Sequence, residues 1–351
     1  MDSVLKLDFE LIVNNLDESI YQLAGSKVLL TGSTGMVGAY LLNFLSYLNT
    51  CVFDEAVSVI CPVRRSVGAE HAMLRNIYQD QHIQWKEMDL AKSFSVTDFV
   101  DYIIHAASPA SPKHYLQEPF ATFDVNVNAS RIFLDYAVKN NIRKFLYVSS
   151  GEIYGSPNLT DVPTAETYIG TTNHLSERSC YVESKRITET LCMIYYRKYG
   201  IPVNIVRPVH VYGPGMKKND GRVWSDFIEK VMDEKDIDIL SDGLASRGFC
   251  YIKDAIEQLL TVLLKGENGA VYNIGNDTNI SIRELANIIK EKSGKEIQIN
   301  IHDQVPDYLK GSPQVSCPSI TKISELINQD ITSIENGIEK TITWYRKNMN
   351  V

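Results

Sequence analysis

The chain lacks an excess of positive charge. Its 351 residues contain 35 lysines and arginines against 43 aspartates and glutamates, giving a formal net charge of −8 and a pI near 5.5. A protein that binds nucleic acid generally presents a basic face to the phosphate backbone. This balance therefore argues against a nucleic-acid partner, although a few local arginines can still bind a small anionic ligand.

The chain also lacks long apolar runs and paired cysteines. No stretch approaches the roughly 18 apolar residues of a membrane span, and the N-terminus has no basic segment followed by an apolar one. We therefore expect a cytoplasmic protein without a membrane segment. The cysteines lie far apart, without a Cys-x-x-Cys pair or a histidine cluster, so we expect reduced thiols and no metal site. They are Cys51, Cys61, Cys180, Cys192, Cys250 and Cys317.

Short apolar runs alternate with helical stretches from Lys27 onwards. The runs are apolar on both faces, as strands of a buried parallel sheet are. Helical segments near 36–48, 119–139 and 180–199 separate them. Repeated β-α-β units of this kind predict an α/β fold with a doubly wound parallel (Rossmann) sheet. The predicted strands are 28–31, 57–61, 102–104, 145–149 and 203–206.

A glycine-rich turn, Thr31-Gly32-Ser33-Thr34-Gly35-Met36-Val37-Gly38, joins the first strand to the first long helix. The first glycine permits a tight turn, the second lets the backbone approach a pyrophosphate, and the third lets helix and strand pack closely. Free N–H groups at the positive end of the helix would bind the phosphates. Three glycines alone are weak evidence, but between a strand and a helix they predict a dinucleotide site.

The chain divides by character into three parts. Residues 1–25 have a helical apolar period and are predicted as a surface helix, an N-terminal extension before the fold proper. Residues 26–207 carry the β-α-β units and are predicted as the dinucleotide-binding domain. Residues 208–351 are predicted as a smaller α/β region that mainly binds substrate, with some elements returning to the first domain. This region includes a helix near 222–234 and an ordered loop over 305–319.

The residues after the second strand bear on which dinucleotide is bound. An acidic residue there would accept a hydrogen bond from the ribose 2′-hydroxyl of NAD. The strand instead ends in Val63-Arg64-Arg65. These arginines could pair with the 2′-phosphate of NADP or form a solvated basic turn, and the sequence favours neither interpretation.

Tyr181 and Lys185 form a Tyr-x-x-x-Lys pair near the start of a helical segment, and this spacing puts both on one helical face. A phenol with a pKa of about 10 is a poor base at neutral pH. A lysine ammonium and an oxidised nicotinamide nearby would stabilise the phenolate and lower that pKa. Alone, the pair would be a surface feature; together with the glycine turn it indicates a catalytic base.

The Gly-x-x-Gly-x-x-Gly spacing and the Tyr-x-x-x-Lys pair together resemble the extended short-chain dehydrogenases/reductases, the NAD-dependent epimerase/dehydratase family. In that family a Ser or Thr at the position of Ser150 hydrogen-bonds the sugar 4-hydroxyl. The resemblance implies a retained NAD, with NADP as the alternative that Arg64 and Arg65 leave open. The cofactor-binding residues that it implies are Gly32, Thr34, Gly35, Met36, Val37, Gly38, Arg64, Asp89, Leu90, Ala106, Ala107, Ser108 and Lys185.

Three further stretches resemble the UDP-glucuronate decarboxylases within that family. They are His105-Ala106-Ala107-Ser108-Pro109-Ala110-Ser111-Pro112, Arg178-Ser179-Cys180-Tyr181 and Asn219-Asp220-Gly221-Arg222-Val223. The implied nucleotide-sugar site comprises Ser108, Pro109, Glu152, Tyr154, Arg178, His210, Arg222 and Arg247. Each arginine taken alone would be a surface ion-pair partner.

Glu152 bears on the reaction. Decarboxylases and 4,6-dehydratases of the family have Glu at this position to handle a proton at sugar C5, whereas simple 4-epimerases have a small or neutral residue. A turn carboxylate that caps nearby amides is the alternative. The implied catalytic residues are Tyr181, Lys185, Ser150 and Glu152.

The reaction implied is transient oxidation at sugar C4 with the cofactor regenerated in each turnover, most closely decarboxylation of UDP-glucuronate to UDP-xylose. A 4,6-dehydratase or epimerase acting on another nucleotide sugar is the alternative, and a non-catalytic sensor is a third. Relatives dimerise through a four-helix bundle, so the helices near 119–139 and 180–199 imply a homodimer.

Two residues depart from the family pattern. Gly151 replaces the Ser usual in decarboxylases and the Asp of dTDP-glucose dehydratases, which weakens both assignments. His210 stands where relatives usually carry Asn. A histidine there could select a different sugar, add an acid/base group or simply replace the hydrogen bonds of Asn.

Overall fold

A computed structural model describes residues 1–217, 220–302, 313–327 and 331–348. The helices are α1 (Ser3–Leu16), α2 (Met36–Cys51), α3 (Pro112–Gln117), α4 (Pro119–Phe123), α5 (Ala129–Asn140), α6 (Ser179–Tyr199), α7 (Val223–Met232), α8 (Ile252–Lys265), α9 (Ile282–Ser293), α10 (Thr321–Ser324) and α11 (Ile334–Asn348). The strands are β1 (Lys27–Thr31), β2 (Ser58–Val63), β3 (Ile83–Glu87), β4 (Tyr102–His105), β5 (Lys144–Val148), β6 (Val203–Pro208), β7 (Val211–Tyr212), β8 (Ile237–Ile239), β9 (Ser246–Gly248), β10 (Cys250–Tyr251), β11 (Val271–Ile274), β12 (Asn279–Ser281), β13 (Ile299–Ile301) and β14 (Val315–Ser316).

Seven of these strands form one parallel sheet in the order β11-β6-β5-β4-β1-β2-β3. The predicted doubly wound α/β fold is confirmed, and each of the predicted strands lies in this sheet within a few residues of its expected bounds. The prediction missed β3 and β11. β3 is an edge strand with polar and half-exposed residues, so it lacks the two-sided apolar run on which the prediction relied.

Parallel strands deliver their carboxyl ends to one edge of the sheet, where ligands of such folds bind. Thr31, Val63, His105 and Val148 end β1, β2, β4 and β5 at this edge. The glycine turn, the Arg64 region, the Ser108 segment and the Ser150 turn each follow one of these strands. The topology therefore gathers residues that are far apart in the sequence.

The predicted helix over 119–139 is interrupted. α4 and α5 are separated by a π-helical turn over Asp124–Asn128. Asn126 in this turn is fully buried and donates from its side chain to the Ser184 hydroxyl of α6 at 2.8 Å, while its carbonyl accepts from Thr188 at 3.0 Å. These polar contacts hold the widened turn against α6.

The N-terminal helix is more than a surface extension. The Phe9 ring of α1 is fully buried and makes edge contacts with Tyr40 and Phe44 of α2, at 5.3 and 5.4 Å between ring centroids. Asp8 is also buried and accepts hydrogen bonds from Tyr40, Tyr251 and Lys340 at 2.9, 2.7 and 2.6 Å. The expected surface helix is thus part of the core, because its apolar face and one carboxylate both find partners in distant elements.

Asp8→Ala is expected to lower the free energy of unfolding by about 3 kcal/mol, because it leaves two buried hydroxyls and an ammonium without their acceptor. Urea denaturation followed by circular dichroism measures this. Glu10→Ala is the control on the same helix: Glu10 forms an exposed ion pair with Lys6 at 3.8 Å, so a change of less than about 0.5 kcal/mol is expected. Equal effects of the two substitutions would contradict a structural role for α1.

Within the described ranges, no helix is both long and apolar enough to cross a membrane. The same residues include no group of three or more His, Cys, Asp or Glu side chains arranged to hold a metal ion. Part of the predicted loop over 305–319 lies outside the described residues, and so does Asn219. In the described part of that loop, residues Val315–Ser316 form β14.

Candidate active site

The glycine turn joins β1 to α2 as predicted and lies directly against β4. Gly32 has a φ of +72°, and a Cβ there would lie 2.8 Å from the Ala106 carbonyl carbon. At Gly38 a Cβ would lie 2.2 Å from the Gly32 carbonyl oxygen. Because neither position has room for a side chain, the backbone itself forms the surface of the turn.

The N-terminus of α2 fits the diphosphate of a dinucleotide. Its N-cap is Gly35, which provides no side-chain hydrogen bond. The N–H groups of the first turn, beginning at Met36 and Val37, therefore have no helical acceptor. The Ser108 hydroxyl, beyond the end of β4, is buried and has no hydrogen-bond partner among the described residues. Unpaired donors at the positive end of a helix are what a pyrophosphate requires.

A buried histidine holds the segment after β4 beside this turn. Thr31 donates from its hydroxyl to His105 Nδ1 at 2.7 Å and accepts from the Ala107 N–H at 3.0 Å, while His105 Nε2 donates to the Val125 carbonyl at 3.1 Å. Burial, helped by the charge of Lys185, lowers the pKa of His105 to about 3. The ring is therefore neutral, and these bonds fix its tautomer. They also fix Ala106 and Ala107 next to Gly32.

The residues predicted to lie near the adenosine half of the cofactor occupy the same edge of the sheet. Arg64 and Arg65 are exposed immediately after β2. Asp89 follows β3, and its Oδ1 accepts from the Ala91 N–H at 3.1 Å, with Leu90 buried beside it. β2 and β3 are the next two strands beyond β1, so this group continues outward from the glycine turn.

Helix α6 carries the tyrosine and lysine one turn apart. Both side chains are buried, with 4% of Tyr181 and 2% of Lys185 exposed. Lys185 Nζ donates to the Val148 carbonyl at 2.7 Å and lies 5.8 Å from the centroid of the Tyr181 ring. Burial lowers the pKa of Lys185 to about 7. The lysine is thus oriented by the end of β5 and can exchange its proton near neutrality.

The surroundings of the Tyr181 phenol disfavour its ionisation. Burial, followed by the negative charge of Glu152, raises the pKa of Tyr181, whereas hydrogen bonding to Ser150 and the charge of Arg222 oppose the rise. The Tyr115 ring stacks on Tyr181 with centroids 5.1 Å apart and planes 13° apart. Sequence analysis missed Tyr115, although it lies only three residues beyond the His105–Pro112 motif. Its stacking fixes the plane of the phenol.

Ser150 and Glu152 meet Tyr181 at the end of β5. The Ser150 hydroxyl accepts from the Glu152 N–H at 3.2 Å, so the amide cap of this turn is Ser150 and not the carboxylate of Glu152. The Glu152 side chain is 38% exposed and its Oε2 lies 3.9 Å from Arg178 Nη2. Partial burial raises the pKa of Glu152, and the charges of Arg178 and Arg222 counteract that rise. Glu152, Tyr181 and the Arg178 guanidinium therefore form one cluster that can donate and accept protons.

Gly151, between Ser150 and Glu152, lies where a side chain would have no room. A Cβ at Gly151 would lie 2.4 Å from Cγ2 of Val209, closer than two carbons can approach. The methyl group of Val209 thus fills the space that a serine or aspartate at position 151 would need. Sequence analysis noticed the glycine but had no way to see its partner after β6.

Two arginines and His210 form a second cluster. Arg222 lies at the start of α7, with Nε 3.0 Å from Asp220 Oδ2. Arg247 on β9 donates from Nη1 to the carbonyls of Ser246 and Gln314 at 2.7 and 3.2 Å. Burial lowers the pKa of Arg247 to about 10, so it remains a cation at neutral pH. Burial, followed by the charges of Arg247 and Arg222, lowers the pKa of His210.

Tyr154 does not present its hydroxyl to this cluster. The hydroxyl donates to Asn273 Oδ1 at 2.6 Å and accepts from Arg207 Nη1 at 2.9 Å, and Arg207 pairs with Glu189 at 2.7 Å. Only 4% of Tyr154 is exposed. The sequence predicts a substrate contact for this residue, and in the structure its hydroxyl belongs to a buried network that joins the Ser150 turn to β11.

Comparisons with known proteins agree with the fold and the motifs. Residues 28–275 match the model of the NAD dependent epimerase/dehydratase family. UDP-glucuronic acid decarboxylase 6 of Arabidopsis thaliana is 32% identical over 301 residues, which cover 86% of this chain and 83% of that protein. UDP-glucuronic acid decarboxylase 1 of Xenopus tropicalis is 30% identical over 327 residues, or 92% of this chain and 73% of that protein.

A solved structure has the same fold. The UDP-glucuronic acid 4-epimerase of Bacillus cereus, in complex with UDP-glucuronic acid and NAD, superposes with a TM-score of 0.75 at 23% identity, covering 92% of this chain and 99% of that one. At this identity the likeness establishes the fold, and the family match establishes the membership. The chain belongs to the NAD-dependent epimerase/dehydratase family, whose name gives NAD as the cofactor.

Proposed function

We propose that the protein decarboxylates UDP-glucuronate to UDP-xylose. The observation that carries this proposal is the Glu152–Arg178 pair beside Tyr181. A simple exchange of configuration at C4 needs one acid/base group, whereas loss of a carboxylate also needs a group that manages a proton at C5. The decarboxylases among the relatives act on this substrate by name.

Tyr181 is the proposed base for oxidation at C4. NAD, when bound, supplies reversible oxidation of that carbon. Tyr181 takes the proton of the 4-hydroxyl as C4 becomes a carbonyl, and the Ser150 hydroxyl orients the same oxygen. Lys185 stabilises the phenolate, which Tyr181 alone would reach only at high pH, because burial raises its pKa. Burial of both residues excludes water from the proton transfer.

Glu152 is the proposed acid/base group for the second half of the reaction. Once C4 is a carbonyl, the C5–C6 bond breaks, carbon dioxide leaves, and the electron pair is delocalised into the C4 carbonyl. Glu152, or a water that it orients, then delivers a proton to C5. Reduction of C4 follows, and Tyr181 returns its proton to the 4-oxygen. Arg178 counteracts the rise in the pKa of Glu152 and can pair with the departing carboxylate.

The remaining predicted residues are proposed to hold the two ligands. Gly32, Gly35 and Gly38, with the segment Ala106–Ser108, would hold the cofactor. Arg222 and Arg247 would hold the nucleotide sugar, with Arg247 at its diphosphate. We propose the division of labour stated above, with residues 26–207 for the cofactor and 208–351 mainly for the sugar. We also propose a cytoplasmic homodimer formed by α4, α5 and α6, on which Phe120, Ile187 and Ile194 are exposed; the mass in solution tests the assembly.

Incubation with UDP-, dTDP-, CDP- and GDP-sugars, read by mass spectrometry, tests the reaction. Loss of the mass of carbon dioxide from UDP-glucuronate is the expected result. Loss of the mass of water from a hexose would identify a dehydratase instead, and no change of mass would leave epimerisation or binding. If UDP-glucuronate is recovered unchanged while another sugar is converted, the proposal fails. A Tyr181→Phe preparation controls for contaminating enzymes.

A further inference from the structure

His210 has an unusual backbone conformation. Its φ is +44°, in the left-handed region, where Asn, Asp and His are the side chains found most often after Gly. Backbone bonds hold it there: the preceding Val209 N–H donates to the Ile274 carbonyl at 2.9 Å, and the His210 carbonyl accepts from the Cys250 N–H at 3.2 Å. Asn, the usual residue of the family at this position, suits the same conformation. The exchange therefore keeps the backbone and changes only the reach of the side chain.

The longer side chain reaches a strand from the C-terminal part of the chain. His210 Nε2 lies 3.1 Å from the Ser316 hydroxyl on β14, and the imidazole lies 5.9 Å from the Phe249 ring. Burial, then the charges of Arg247 and Arg222, lower the pKa of His210 to about 3. The ring is neutral at physiological pH, so it can bond a hydroxyl without placing a third cation beside two arginines.

The strand that His210 contacts, β14, is the neighbour of the strand that carries Arg247, β9. β14 pairs with β9 in parallel, with Ser316 opposite Arg247. The Gln314 carbonyl just before β14 accepts both from the Ser246 N–H at 2.8 Å and from Arg247 Nη1 at 3.2 Å. A continuous set of contacts thus runs from the His210 imidazole through β14 to the Arg247 guanidinium.

We propose that His210 is a positioning residue for Arg247: its hydrogen bond to Ser316 holds β14 in the register that orients the guanidinium towards the diphosphate of the nucleotide sugar. This inference rests on the proposed diphosphate role of Arg247. An asparagine amide ends one bond nearer the backbone than His Nε2, so it cannot make the contact with Ser316. Through the His210–Ser316 hydrogen bond, the replacement of the usual Asn by His at position 210 would raise the affinity for the substrate.

Binding of nucleoside diphosphates tests the inference without requiring turnover. Calorimetry with UDP, dTDP, CDP and GDP identifies the tightest ligand for the unaltered protein. His210→Asn and Ser316→Ala are each expected to weaken that ligand about tenfold, as loss of one hydrogen bond does. The double variant should be no weaker than either single one, because both remove the same bond. His210→Gln, which reaches as far as the imidazole, should restore most of the affinity.

The His210→Asn and Ser316→Ala variants form one double-mutant cycle. A second cycle, of His210→Asn with Arg247→Met, tests whether the loss of affinity depends on Arg247. In an Arg247→Met background, His210→Asn should cost no further affinity, and with a converted substrate His210→Asn should raise KM while leaving kcat within about twofold. The control is Ser319→Ala, which removes a hydroxyl that lies 3.1 Å from the Thr321 hydroxyl and should leave affinity unchanged. Additive losses from His210→Asn and Ser316→Ala, or an undiminished loss without Arg247, would overturn the proposal.

The two proposals fail differently. If UDP-glucuronate is not decarboxylated but a nucleoside diphosphate binds and the cycles behave as expected, only the assigned reaction is wrong. If the unaltered protein binds none of the nucleoside diphosphates, the positioning role of His210 is rejected as well.

Discussion

Tyr181→Phe is expected to lower kcat for the nucleotide-sugar substrate by about 10²–10⁴-fold, the usual contribution of a positioned acid/base group. The variant keeps the aromatic ring that stacks on Tyr115, so packing and cofactor content should be unchanged. Only the hydroxyl that removes the 4-hydroxyl proton is lost. Steady-state product formation by mass spectrometry measures the effect, with circular dichroism and bound NAD measured on the same samples.

The matched control is Tyr199→Phe. Tyr199 lies at the end of the same helix and is 48% exposed, so removal of its hydroxyl should leave kcat unchanged. If Tyr181→Phe retains more than about a tenth of the original kcat, general acid–base catalysis by this phenol is excluded and another group must take the proton. A matching loss of bound NAD would instead assign the effect to the cofactor site.

The parts of this site that could be predicted from the sequence are those that local chemistry decides. Gly32, Gly35 and Gly38 predict a turn because they fall at the expected spacing between a strand and a helix, within eight residues. Tyr181 and Lys185 announce a shared helical face because their spacing matches one turn. Strands β1, β4 and β5 can be predicted because strands buried on both faces consist of unbroken apolar runs.

The parts that could not be predicted depend on contacts between distant segments. Tyr115 stacks on Tyr181 across 66 positions of sequence, and Val209 excludes a side chain at Gly151 across 58. No local period or propensity encodes such a pair. The same limit applies to Tyr154, whose hydroxyl bonds to Asn273 and Arg207 from distant parts of the chain.

Glu152→Gln is expected to separate the two halves of the reaction. The amide keeps the size of the side chain and removes its charge, so oxidation at C4 should proceed while proton delivery at C5 slows by about 10²-fold or more. Reduced nicotinamide should then accumulate on the enzyme and be visible by its near-ultraviolet absorbance in a single turnover. Glu177→Gln, an exposed carboxylate of the loop before α6, is the control and should behave as the unaltered protein.

The pH dependence gives the same variant a second signature. Burial raises the pKa of Glu152 above its ordinary value, so if Glu152 acts as a carboxylate that orients the proton-donating water, activity should rise with pH through a midpoint higher than that of a free glutamate. Removal of the charge abolishes this acid limb in Glu152→Gln. The charge of Glu152 also raises the pKa of Tyr181, so its loss should move the limb assigned to the phenol to lower pH. A profile that keeps its acid limb after the substitution would show that Glu152 does not titrate in the reaction, and that the C5 proton comes from elsewhere.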